Sequence, residues 1–580
     1  MPQTRRVRAV YVHVVARSPL FRTLRRLARR ARAANLGASS ADLAPPPREG
    51  PSRRDVLLGS LGAAALLPLA QACGDNTGSD APTIAIVGAG IAGLTAAHFL
   101  EQAGVRAEVY EASMRAGGRM FTARGMLAGD QLVELGGELV DSDHLVLPTM
   151  LELYGFTLDD LVEDTAGLAQ DVFFFGGAQV PEATLIAEFM PVAAKMELAV
   201  TAGDASDTEF ERIDAMSIPE WLELEAGLPP TSLIRRVLEL AYLEEFGIEV
   251  AEQSAWNLIT LIDYTTPDPF RIFGDSDERY HTHAGNDALP VAIANRLEDR
   301  VHFDHALTKV ARSGDAFELT FARAGDEDVV VQVDHVVYAL PFTKLREVDL
   351  DDADLSDEKR TIIDELGYGT NAKLMLQFAD RHWQIAHQAA GSAITDVGQL
   401  QSTWATSRGQ DGTQGILTNF VGGARGLAIG EGTAEAQAQT VLPWIDTVFP
   451  GTSARYLAGS AIRQHWPTAP FAKGSYASYK TGQWAFFGLE GAREGNQHFC
   501  GEHCSENFQG YMEGGAETGA LVAAELLDDL GVDHPPVLGG LIEEITAVPR
   551  ASYHAGFGRR MKLAERRRGR ALARARRGPA

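Results

Sequence analysis

Thr83-Ile84-Ala85-Ile86-Val87 is a run rich in β-branched residues that leads into Gly88-Ala89-Gly90-Ile91-Ala92-Gly93 and then into a helix-forming segment. No other feature of the chain constrains its fold so closely. The spacing predicts a strand, a tight turn at Gly88, a close backbone approach for a pyrophosphate at Gly90, and close packing of helix on sheet at Gly93. The first N–H groups of that helix lack partners, and its positive dipole end favours an anion. The helix closes at Gly104, and Val105 to Tyr110 reads as a second strand. Glu111 follows, 23 residues after Gly88. A carboxylate there accepts both ribose hydroxyls and repels a 2′-phosphate, so the unit implies an adenine dinucleotide.

The next motifs choose the dinucleotide. Arg115-Ala116-Gly117-Gly118-Arg119 follows the acid directly, and Glu134-Leu135-Gly136-Gly137-Glu138 comes soon after. Near the far end stand Phe499-Cys500-Gly501-Glu502-His503 and Gln509-Gly510-Tyr511-Met512-Glu513-Gly514-Gly515-Ala516-Glu517-Thr518-Gly519. Between them, Ala284-Gly285-Asn286-Asp287-Ala288-Leu289-Pro290 and Val336-Val337-Tyr338-Ala339-Leu340-Pro341 complete the set. Over roughly residues 82 to 531 the chain resembles the flavin-containing amine oxidase family, with Ala284 in place of that family's first glycine in the middle motif. The resemblance implies an α/β fold: a doubly wound, Rossmann-type FAD-binding domain with a parallel sheet and a β-meander, plus a discontinuous α+β substrate-binding domain. It implies FAD contacts at Gly88, Gly90, Gly93, Glu111, Arg119, Gly136, Gly137, Glu138, Leu307, Gly501, Glu502 and Met512.

The same resemblance implies three catalytic positions. Lys373, in Gly369-Thr370-Asn371-Ala372-Lys373 ahead of an alternating strand-like run, corresponds to a lysine that holds a water against flavin N5. Its other reading is a snorkelling strand-end lysine. Tyr476 in Lys473-Gly474-Ser475-Tyr476 and Tyr511 in Gly510-Tyr511-Met512 resemble the aromatic walls that monoamine oxidases place before the flavin, where an electron-rich pair orients an amine. Together they imply oxidation of a primary or secondary amine by hydride transfer to N5, hydrolysis of the imine, and reduction of O2 to hydrogen peroxide. An L-amino-acid oxidase is the alternative, and a flavin-binding protein without turnover is the alternative of another class.

Two departures refine this. Covalent monoamine oxidases carry a cysteine where this chain has Ser475, and a serine cannot form the thioether, so FAD is expected to be non-covalent. L-amino-acid oxidases of the snake-venom type place an arginine soon after the Glu-Leu-Gly-Gly-like turn to fork a carboxylate. Here Glu138, Asp141 and Asp143 stand in that region, which suits a cationic amine better, although Arg463 is a candidate to reach the site from elsewhere.

The formal net charge of −26 conceals an uneven distribution. Residues 1–55 hold 13 arginines against three acids, and residues 551–580 hold 10 basic residues against one acid. The body between them carries 29 basic and 74 acidic residues. Such a body repels nucleic acid and can steer cationic amines toward it. With 45% hydrophobic residues in 580, the chain can bury two domains. The expected division is a basic, disordered extension at 1–51, a signal segment at 52–73, FAD-binding parts at 82–145, 280–342 and 480–531, substrate-domain parts at 146–279 and 343–479, and a basic tail at 551–580.

Ser52-Arg53-Arg54 before the apolar run from Gly59 to Ala70 resembles a twin-arginine export signal, the run being too short for a transmembrane helix. Its end reads two ways, as ordinary cleavage after Ala70-Gln71-Ala72 or as a lipoprotein site at Cys73, which would anchor a periplasmic enzyme to the membrane. Cys500 and Cys504 are the only other cysteines. With His503 they suggest a metal cluster, but a zinc site needs about four ligands, so buried thiols and no metal are expected. His281 and His283 likewise read as strand and loop residues.

Overall fold

The computed structural model describes residues 82–261 and 278–547. The twin-arginine segment, Cys73 and the two basic termini lie outside the described residues. The first sheet is parallel throughout and has five strands in the order Gln497–Phe499, His335–Tyr338, Ile84–Val87, Glu108–Tyr110 and Val301–His302. The glycine-rich unit therefore occupies its centre. Ile84–Val87 is buried along its whole length, which is why it reads as a continuous apolar run rather than an alternating one.

Alternate residues of these strands serve two different cores. Ile84, Ile86, Val109 and Val337 pack with the helices Ile91–Gln102, Ala288–Leu297 and Met512–Leu530 on one face. Ala85, Val87, Tyr110, Val336 and Tyr338 face the other way. There they meet a three-stranded antiparallel meander, Ala306–Ser313, Ala316–Ala322 and Val329–Val333, through Val310, Phe317, Leu319, Phe321 and Val333. The short strands between residues 301 and 333 are thus divided between the parallel sheet and the meander.

The second domain is built on a mixed seven-stranded sheet in the order Ile462–His465, Ala372–Phe378, Gly415–Val421, Ser402–Ala405, Ala389–Thr395, Ala169–Phe175 and Ala178–Gln179. Helices Glu182–Ala205, Asp207–Asp214, Ile218–Leu224 and Leu233–Phe246 accompany it. Ser217 forms a reciprocal capping box with Glu220 at the start of the third of these. Register matters most in the first four strands. Gln464 pairs with Lys373, Lys373 with Phe420, and Phe420 with Ser402. Directly opposed residues on paired strands share a face, so these four side chains form one row across the sheet.

The helix Val146–Leu153 packs with the helical side of the parallel sheet, through Val146, Leu147, Met150 and Leu151. Its N-terminal N–H groups, at Leu145, Val146 and Leu147, donate at 2.7–2.8 Å to the carboxylate of Glu513, more than 360 residues along the chain. A helix end with no cap of its own is thus capped by a carboxylate from the helix Met512–Leu530. No helix among the described residues is long and apolar enough to cross a membrane.

Gly93 shows how tightly the nucleotide-binding unit is packed. A Cβ added there would lie 2.1 Å from the Gly88 carbonyl oxygen and 3.0 Å from both Ala339 Cβ and Ile86 Cγ2. The first of these is backbone and cannot swing aside, so the helix would have to move away from the sheet. Gly93→Ala is expected to cost about 1–3 kcal/mol, the range for an overpacked core, and to lower the flavin bound per chain. Differential scanning calorimetry and the flavin-to-protein absorbance ratio check this. Full flavin content with an unchanged Tm would show that the helix is not held this close.

Candidate active site

A cavity of about 690 Å³ runs from the glycine-rich turn to the seven-stranded sheet, within the usual range for a cofactor site. Its first end is formed by Gly88, Gly90, Ile91 and Ala92, with Glu111 beside them. The helix that begins at Ile91 has no side-chain cap at Gly90 and no acid in its first turn. The space where a Gly90 side chain would be is open, with no atom within 4 Å. Exposed N–H groups, a positive helix end and room at Gly90 fit a pyrophosphate. Glu111 accepts from the N–H groups of Ala89 and Ser113 at 2.8 and 2.9 Å, which fixes its carboxylate and leaves lone pairs for ribose hydroxyls. These residues fit the adenosine half of FAD.

The middle of the cavity is closed by residues from three distant segments. Arg119 Nη1 donates to Glu502 Oε1 at 2.7 Å and to the Ser475 carbonyl at 2.8 Å. Glu502 also accepts from the N–H groups of Ala477 and Gly510, at 3.2 and 2.8 Å. Gly137 abuts Met512, since an added Cβ would come within 2.6 Å of Met512 Cγ. Gly136, Leu307 and Gly501 line the same space. Of the positions implied as FAD contacts, Gly93 alone lies off the cavity wall, held in the helix–sheet contact already described.

Lys373, Tyr476 and Tyr511 all line the far part of this cavity. Lys373 is buried in its strand, and its ammonium has three protein acceptors, the carbonyls of Glu134 at 3.1 Å and Gly136 at 2.8 Å and Glu138 Oε2 at 2.8 Å. Those three bonds match its three N–H donors. Glu138 is held in turn by Trp404, whose Nε1–H donates to Oε1 at 2.9 Å. Burial pushes the Glu138 carboxyl up, but the charge and hydrogen bond of Lys373, the Trp404 bond and the His281 charge together hold it below its ordinary value. Glu138 therefore meets Lys373 as well as the cavity.

Each tyrosine is fixed from behind. The Tyr476 hydroxyl donates to the Glu245 carbonyl at 2.7 Å, at the end of the helix Leu233–Phe246. Beside it, Ser475 Oγ donates to Asn371 Oδ1 at 2.6 Å. The Tyr511 ring meets His144 edge to face at 5.5 Å between centroids. His144 Nδ1 accepts from the Asp141 N–H at 3.2 Å, and burial lowers the ring's pKa to about 3, so it presents a neutral imidazole to Tyr511.

Among the described residues, the four lysine and arginine side chains on the cavity wall are each engaged. Arg115 donates to the carbonyls of Ala116, Gly118 and Met120, Arg119 to Glu502, Lys344 to Glu347, and Lys373 to Glu138. Five carboxylates line the same cavity, Glu278 among them. Arg463 does not reach the site. Its guanidinium donates to the carbonyls of Ile429, Glu431 and Gly432, because the strand alternates and its neighbour Gln464 takes the cavity side. Trp404, Phe420, Gln464 and Trp466 are wall residues that sequence reading did not reach. Cys500 and Cys504 are buried free thiols, and burial pushes the Cys500 thiol up to about 12. His281 bonds to Glu134 at 2.9 Å and His283 to Asp159 at 3.0 Å.

Comparison with known proteins agrees with this geometry. The family of flavin-containing amine oxidoreductases matches residues 91–527. Pseudooxynicotine dehydrogenase of a Pseudomonas species is 26% identical over 455 residues, covering 76% of this chain and 85% of its own. The flavin-dependent L-tryptophan oxidase of Lentzea aerocolonigenes is 24% identical over 481 residues, covering 77% and 98%. Among solved structures, putrescine oxidase bound to putrescine superposes with a TM-score of 0.64 at 18% identity, covering 77% of this chain and 99% of its own. Cyclohexylamine oxidase from Brevibacterium oxydans gives 0.65 at 19%, covering 78% and 99%. With the family match spanning most of the described residues and the cavity carrying the residues a flavin needs, the chain belongs to the flavin-containing amine oxidoreductases and is a flavin-dependent oxidoreductase.

Proposed function

We propose that this protein is an exported oxidase of primary or secondary amines that uses O2 as acceptor and holds FAD without a covalent bond. The observation that carries the amine reading is the charge of the cavity. Among the described residues its four lysines and arginines are already matched by protein acceptors, and five carboxylates share the same wall. A cationic amine is attracted there, and a substrate carboxylate meets no uncommitted guanidinium among the described cavity-wall residues.

FAD, when bound, supplies the two-electron acceptor and passes the electrons on to oxygen. The chain's own residues do the rest. Gly88 to Ala92 and Glu111 hold the adenosine half, and the Arg119–Glu502 pair closes the wall at the centre. Tyr476 and Tyr511 present aromatic faces that orient the amine, with their rings fixed by Glu245 and His144. Buried Phe420, Trp404 and Trp466 exclude water from the reacting end. Lys373 contributes a fixed positive charge within the cavity.

A peroxide-release screen with matched pairs, each an amine and the α-amino acid that would yield it on decarboxylation, tests the substrate class. The amines are expected to be oxidised at least tenfold more efficiently in kcat/KM. A preference for the amino acids would establish the L-amino-acid oxidase reading instead.

Ser475 sits where a thioether would need a cysteine, so acid precipitation is expected to leave the flavin absorbance in the supernatant. Colour retained in the washed pellet would disprove non-covalent binding.

Export rests on Arg53 and Arg54 ahead of the short apolar run. Changing both to lysine is expected to leave FAD-loaded enzyme in the cytoplasm, measured by fractionation and flavin fluorescence. Secretion equal to that of the unaltered protein would refute the twin-arginine route. Mass spectrometry of the mature N-terminus distinguishes an acylated Cys73 from simple cleavage.

A further inference from the structure

Lys373 places a cation in the cavity of an enzyme that, on the amine reading above, must bind amines, and a bare ammonium there would invite an anion. The structure shows what prevents this. Glu138 Oε2 stands 2.8 Å from Nζ, and both side chains are less than a tenth exposed. The Glu138 carboxylate cannot turn away, because Trp404 donates to its other oxygen at 2.9 Å. The Trp404 ring also lies 5.4 Å from Nζ. All three side chains line the cavity. The pair also stands between the segments that carry the two tyrosines. Asn371, two residues before Lys373, accepts from Ser475 next to Tyr476, while Gly137, beside Glu138, abuts Met512 next to Tyr511.

We propose that Glu138 is a specificity-determining residue: by permanently occupying the Lys373 ammonium it keeps carboxylate-bearing molecules out of the amine site. The inference rests on the amine reading. A buried cation that keeps two carbonyl acceptors but loses its carboxylate has no opposite charge to offset it, so without the Glu138 charge Lys373 would recruit a carboxylate from whatever enters the cavity. Discrimination of this kind works by occupying the attractive group rather than by adding contacts to the right substrate. Neither the glutamate nor the tryptophan is required to touch the reacting atoms for the effect to operate.

The test is titration calorimetry at pH 7 with FAD-loaded protein and benzoate as the probe, which reads binding rather than turnover. Glu138→Gln is expected to tighten benzoate binding at least tenfold relative to the unaltered enzyme, as expected for a newly available buried charge partner. The double variant Glu138→Gln with Lys373→Met is expected to lose that gain. Glu138→Met, which removes the carboxylate while keeping a side chain of similar length, is expected to give the same gain, and it serves if Glu138→Gln does not retain FAD. A folded, flavin-loaded Glu138→Gln with benzoate affinity equal to the unaltered enzyme overturns the proposal, as does a gain that survives removal of Lys373. Either result leaves the amine reading standing. Should the unaltered enzyme oxidise L-amino acids better than the matching amines, the amine reading itself fails and takes this proposal with it.

Discussion

The middle of the cavity is closed by one charge pair, Arg119 with Glu502, the carboxylate buried and the guanidinium partly exposed. A carboxylate removed from water is costly unless it is paired and its remaining acceptor sites are used. Here they are used on backbone. Arg119 also donates to the Ser475 carbonyl, and Glu502 also accepts from the N–H groups of Ala477 and Gly510. Tyr476 lies between the first two of those backbone partners, and Tyr511 directly follows the third. The pair that draws together segments almost 400 residues apart therefore also sets the main-chain position of both aromatic walls. Each tyrosine belongs to a loop or a helix start rather than to a strand, so these backbone bonds add to the contacts that already fix its ring.

This explains which parts of the molecule were legible in sequence. The strand, turn, helix and acid from Thr83 to Glu111 form a local unit whose logic is complete within thirty residues, and the structure repeats its order, although the second strand, expected from Val105, begins only at Glu108 because the chain from Val105 is still closing the helix end. The Gly-Glu pair at 501–502 and the tyrosines at 476 and 511 could be found because they sit within short motifs. Trp404, Phe420 and Gln464 could not. They reach the cavity only through the strand register that lines up Gln464, Lys373 and Phe420 in one row, and register is a tertiary property. The same alternation removes Arg463, whose candidacy rested on residue type alone. Glu138 was visible as an acid in the right region, but its attachment to Lys373 depends on a contact across 235 residues. Glu513 is the same kind of case: a motif residue whose work is to cap a helix far away in sequence.

The two domains are consequently hard to separate at the site. The seven-stranded sheet contributes Lys373, Phe420 and Trp404, the helix Leu233–Phe246 supports Tyr476, and the FAD side contributes Glu138, Tyr511 and Met512. The Lys373 ammonium bonds to carbonyls of Glu134 and Gly136, which belong to the glycine-rich turn of the FAD side. That contact is an inter-domain clamp as well as a feature of the cavity wall. Any loosening of one domain against the other would separate the ammonium from its acceptors and expose a buried charge, so a functional group doubles as a reason for the domains to stay closed.

The order of charges along the cavity also fixes which way round a dinucleotide must lie. The uncapped helix start at Gly90 to Ala92 offers N–H groups and positive potential to phosphates, and Glu111 beside it offers only acceptors, suited to ribose hydroxyls and hostile to a further phosphate. Farther along, Arg119 is neutralised by Glu502 and Lys373 by Glu138, so no comparable anion site exists among the described cavity-wall residues. A ligand with an adenosine, a pyrophosphate and a long aromatic end can satisfy all of these only with its adenosine at Glu111 and its other end toward Lys373 and the tyrosines. The polarity of cofactor binding is thus decided by electrostatics at the first end of the cavity. Among the described residues the other end is left free of strong anion sites, which is the condition the proposed amine substrate needs.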